Sequence, residues 1–171
     1  MVFGDFSTIG LGLKDIFGML ANCRYGGGKL MEKLNVSELD FCAHDVEEES
    51  FERLDDIYDS VRQNEMLVEG EDIIRLCNIF KQPFKEKHPH QYTKICKITF
   101  HIIDEIGEEK GFEFLIKGLK NMPENHVKNY LGMLNCSYDR EKIELFKDKL
   151  KNIPKEEQEY IWQCWAECVQ E

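Results

Sequence analysis

The sequence predicts an all-α fold: a compact array of antiparallel helix pairs, helical-repeat-like or an orthogonal bundle, with about seven to nine helices. Three observations predict it. Apolar residues recur at helical spacing from residue 51 to the C-terminus. Alternation of period two, bounded by turn residues, appears nowhere at useful length. The C-terminal third also contains two similar helix–break–helix units. With 171 residues, 42% of them hydrophobic, the chain can bury the core of one domain spanning residues 1–171.

Residues 1–28 form a glycine-rich N-terminal element. Seven of the 12 glycines fall there (Gly4, Gly10, Gly12, Gly18, Gly26, Gly27, Gly28), whereas all four prolines lie at or beyond Pro83. Leu13, Ile16, Phe17 and Leu20 share one face of a short helix, which Gly26-Gly27-Gly28 ends in a turn. Asp5 and Asp15 interrupt the stretch that a signal peptide would keep basic and then apolar.

Successive stripes then mark the core-facing sides. Phe51, Leu54, Tyr58 and Val61 form the first, with Ile57 beside it. Ile73, Leu76, Cys77 and Phe80 follow, then Tyr92, Ile95, Thr99, Ile102 and Ile106. Phe112, Leu115, Ile116 and Leu119 lead to Val127, Tyr130, Leu131 and Leu134. Ile143, Phe146 and Leu150 precede Ile161, Trp162, Trp165, Cys168 and Val169. Within residues 111–169, Leu119-Lys120-Asn121-Met122-Pro123 aligns with Leu150-Lys151-Asn152-Ile153-Pro154 at an offset of 31. Each unit reads as a helix, a stop at Asn-x-Pro, and a second helix, which is how stacked helical pairs are built.

Charge is distributed unevenly. The net charge is −11, yet residues 36–72 alone hold 14 acids against Arg53 and Arg62, leaving the rest of the chain close to neutral. Residues 81–97 are a basic connection with five lysines (Lys81, Lys85, Lys87, Lys94, Lys97), opened by Pro83 and Pro89. Acidity on this scale argues against direct binding of nucleic acid. No apolar run has the length of a membrane span. Seven scattered cysteines cannot complete a disulfide framework within one chain, which points to a reducing, cytoplasmic setting.

Motifs for chemistry fail on spacing. Gly26-Gly27-Gly28-Lys29 has Cys23 where a phosphate loop needs glycine, and Leu30 where it needs Ser or Thr. A turn between helices is the better reading, and no strand is expected before it. The aspartates around Asp55 and Asp59 miss the glycine and terminal glutamate of a calcium loop. His44, His88, His90, His101 and His126 make no Glu-x-x-His pair and no His-Glu-x-x-His. Cys164 and Cys168 share a helix face but lack a second ligand pair, so packing beside Trp162 and Trp165 explains them better. Cys23, Cys42, Cys77, Cys96 and Cys136 stand isolated. No metal, no cofactor and no catalytic residue is expected.

One pattern asks for a functional explanation. At 3.6 residues per turn, Asp45, Glu48, Glu49, Glu52, Asp55, Asp56 and Asp59 fall on one face of a helix. If that helix reaches back to Asp45, seven carboxylates span about 21 Å. Like charges one turn apart destabilise a helix by a few tenths of a kcal/mol each, a cost that interspersed lysines would avoid. The expectation is a non-enzymatic interaction module, an adaptor or inhibitor, whose acidic face binds a basic, nucleic-acid-binding protein. A solvated face kept for solubility is the plainer explanation of the same residues. Two other readings use different residues: a metal- or small-molecule-dependent helical protein built on His101 with Asp104 or Glu105, and self-assembly of acidic residues 45–59 with basic residues 81–97.

Overall fold

The computed structural model describes residues 24–26, 29–45, 47–81 and 89–168. Among them are eight helices: α1 (Val36–His44), α2 (Glu48–Arg62), α3 (Gly70–Ile79), α4 (Pro89–Ile106), α5 (Glu108–Leu119), α6 (Glu124–Ser137), α7 (Arg140–Leu150) and α8 (Lys155–Cys168). The fold is all-α, built from packed helix pairs, as the periodicity predicts. The helix expected around Leu13–Leu20 lies outside the described residues, as do Cys23, Lys85, Lys87, His88 and Val169.

The N-terminal region departs from the sequence reading. Strands β1 (Arg24–Gly26) and β2 (Lys29–Lys33) pair antiparallel, with Gly26 opposite Lys29. Strand β3 (Met66–Leu67) then joins β2 in parallel, Glu32 opposite Met66 and Lys33 opposite Leu67. A strand therefore runs into the triple glycine and ends at Gly26, and the element that begins at Lys29 is a second strand, where a phosphate loop would need a helix N-terminus. Strands of three, five and two residues are too short to show alternation in sequence.

Side chains fix the helix starts. The Asn35 side chain accepts from the amide of Glu38 at 3.3 Å, and Asp139 accepts from that of Lys142 at 3.0 Å. Asp72, fully buried, accepts from the amide of Glu69 at 2.9 Å and holds Arg75 at 3.0 Å. Gly107, at φ +90°, turns α4 into α5 within a single residue, a backbone conformation that suits glycine.

Each helix packs against the helix two places on: α1 on α3, α2 on α4, α3 on α5, α4 on α6, α5 on α7 and α6 on α8. This makes two rows, with α2 at one end of the even-numbered row. The sequence echo lies within this stack. Helices α5 and α7 end at Leu119 and Leu150, helices α6 and α8 begin at Glu124 and Lys155, and like packs on like. Tyr160, in the second unit, donates its hydroxyl to the Met122 carbonyl in the break of the first, at 2.7 Å.

The predicted stripes form the core. Leu54, Ile57, Val61, Ile73, Leu76, Ile95, Ile102, Phe112, Leu115, Leu131, Leu134, Phe146 and Ile161 are all buried in one cluster. Rings run through it edge to face, from Phe100 to Tyr138, Phe112 and Phe146, and on to a tilted Trp165. Close approach of α5 to its neighbours depends on glycine. A Cβ at Gly118 would lie 2.5 Å from the Cys77 sulfur on α3, and one at Gly111 would lie 2.8 Å from the Ile103 backbone on α4. Among the described residues, no helix is long and apolar enough to cross a membrane.

Candidate protein-binding face

Helix α2 divides cleanly around its circumference. Ser50, Leu54, Ile57 and Val61 are buried against the core. Diametrically opposite, Glu48, Glu49, Glu52, Asp55, Asp56 and Asp59 are all exposed. This outward face spans about 17 Å along the axis at 1.5 Å per residue. The two flanks are tied down. Arg53 donates to Glu38 on α1 at 2.6 Å, and the adjacent carboxylate keeps the guanidinium strongly protonated. On the other flank Lys94 of α4 meets Asp55 at 2.8 Å and sits 4.5 Å above the Tyr58 ring.

The helix does not reach back to Asp45. Helix α1 ends at His44 and α2 begins at Glu48, so Asp45 is the C-cap of α1 and not the first member of the stripe. Its carboxylate accepts from the Ser50 hydroxyl at 2.6 Å, and its carbonyl accepts from the buried Gln91 side chain at 2.7 Å. The same amide group of Gln91 donates to the Cys42 carbonyl at 2.7 Å, closing off the end of α1. Asp45 is therefore a joint between α1, α2 and α4.

The six remaining carboxylates are not equivalent. Asp55 pairs with Lys94, and Asp59 lies 3.5 Å from Arg62 one turn on. Glu48, Glu49, Glu52 and Asp56 make no ion pair or hydrogen bond among the described residues. The acidic–basic contact expected between copies has a counterpart inside the chain, since Lys94 belongs to the basic segment and Asp55 to the acidic one. Of that segment's other described lysines, Lys81 and Lys97 are exposed.

His101 does not assemble a ligand set. Its ring lies 5.7 Å from that of Tyr58, tilted by 53°, and no three His, Cys, Asp or Glu side chains converge among the described residues. Asp104, one turn on, interacts with the Tyr138 hydroxyl. Burial pushes the Glu105 carboxyl above its ordinary value.

The interior contains a polar cluster that single-sequence reading misses. Cys77 and Cys96, isolated along the chain, come together beside Tyr92 and Tyr130. Tyr130 and Thr99 share a hydrogen bond of 3.1 Å, and Thr99 also donates to the Ile95 carbonyl at 3.0 Å. Burial drives the Cys77 thiol up to about 12 and the Cys96 thiol higher, so both stay protonated and inert. Cys164 packs in the core beside Trp165, and Cys168 donates to the Lys128 carbonyl at 3.1 Å. Helical spacing places Cys77, Tyr92, Thr99 and Tyr130 on core-facing stripes and leaves Cys96 isolated, and their meeting depends on packing between helices.

An open acidic groove of about 590 Å³ runs between α5 and α7, lined by Glu108, Glu109, Asp139, Glu141, Glu144 and Asp148 around Lys142. No protein-family model matches this sequence, and neither a curated protein nor a solved structure matches it. The fold defines an all-α stack of helix pairs with an acidic helix at one end of a row.

Proposed function

We propose that the protein is a non-enzymatic interaction module, an adaptor or inhibitor, that binds a basic protein through the outward face of α2. One observation carries this reading: Glu48, Glu49, Glu52 and Asp56 stand together, exposed and in no ion-pair contact among the described residues, on the helix that ends its row. In the C-terminal stack lysines answer Glu108, Glu113, Glu124, Glu157 and Glu167, so the chain has the means to neutralise an exposed carboxylate. Repulsion along α2 costs folding energy, and a complementary partner surface would recover it on binding. Proteins that bind nucleic acid present such surfaces, which makes them the natural class of partner. Asp55 and Asp45 contribute through architecture, because each is engaged within the chain.

The test compares the wild-type protein with the combined variant Glu48→Gln, Glu49→Gln, Glu52→Gln, Asp56→Asn as bait, at low and high salt. Basic proteins should be retained by wild type at low salt, leave as salt rises, and be missing from the variant. A folded variant that retains the same proteins with the same salt response would overturn the reading.

A further inference from the structure

We draw no further inference here: the strongest candidate, the open acidic groove between α5 and α7, is a cluster of carboxylates of which Asp139 caps a helix and Glu108, Glu144 and Asp148 pair with Lys142, Lys147 and Lys151, and nothing in the structure points to a ligand for it.

Discussion

Helix α2 and the four helices α5–α8 use charge in opposite ways on the same kind of scaffold. In the C-terminal stack, lysines bridge neighbouring helices: Lys142 to Glu108 and Lys149 to Glu113 join α7 to α5, and Lys128 on α6 holds Glu167 on α8 as well as Glu124 on its own helix. Lys120 reaches Glu157 in the same way at 3.1 Å. These pairs hold Glu108 and Glu113 below the ordinary carboxylate range and raise Lys128 well above the ordinary lysine range. On α2 Lys94 and Arg62 pair with Asp55 and Asp59, and the other four carboxylates of the face make no ion pair among the described residues. Under the proposed reading, a fold that interleaves charge in one region and leaves part of another open keeps the second surface for a partner.

The largest test of this contrast concerns what holds the paired region together. Phe146 is fully buried between Phe112 and Trp165, with ring centroids 5.4 and 5.3 Å away. Phe146→Ala should cost about 3–5 kcal/mol in urea unfolding. Phe41→Ala, at a side chain 66% exposed on α1, should stay within about 0.5 kcal/mol. Similar costs for the two would mean that the stack is not where packing resides.

A smaller effect is expected where α5 meets the N-terminal helices. Gly118→Ala places a methyl 2.5 Å from the Cys77 sulfur and 2.7 Å from its Cβ, in a side chain that is fully buried. We expect a loss of about 1–3 kcal/mol despite the better helix propensity of alanine. An unchanged or raised melting temperature would show that α3 and α5 are more loosely joined than described.

Much of this architecture was legible beforehand. The stripes from Phe51 to Trp165 named the core because burial follows the helical period, and the echo at Leu119 and Leu150 marked two helix ends correctly. The small sheet was not legible, since its strands are too short to carry a pattern and one of its two pairings joins residues near 32 to residues near 66. Asp45 was misplaced for a related reason: a face drawn at 100° per residue continues across a break unless the break is recognised. Gln91, which closes that break, is 46 residues away in sequence from Asp45. Which carboxylates are paired depends on such distant neighbours, so the charge run was readable and its division into paired and open members was not.

A third prediction concerns the seam between α4 and α6. His126 is buried, its ring stacked at 5.5 Å on Tyr92, whose hydroxyl donates to the His126 carbonyl at 3.1 Å. Burial lowers the folded imidazole's pKa beneath its ordinary value. Between the unfolded value of about 6.5 and that lower folded value, the unfolded chain binds more proton. Stability should therefore be complete above about pH 6.5, fall as pH drops through this window, and level off below it. Urea titrations at stepped pH should show the slope, and His126→Asn should flatten it. A slope unchanged by His126→Asn would assign the effect to another group.

The most direct measurement sets equal charge changes in the two regions against each other. One variant carries Glu48→Gln, Glu49→Gln, Glu52→Gln and Asp56→Asn on α2, and the other carries Glu108→Gln, Glu113→Gln, Glu124→Gln and Glu167→Gln in the stack. Each is followed by urea unfolding and by retention of the basic proteins that wild type holds at low salt. The α2 variant should be as stable as wild type, or more so by a few tenths of a kcal/mol, and should lose those proteins. The stack variant should be less stable, most clearly at low salt, and should keep them. Retention by the α2 variant, equal loss by both variants, or no basic protein held by wild type would contradict a binding role for the α2 face.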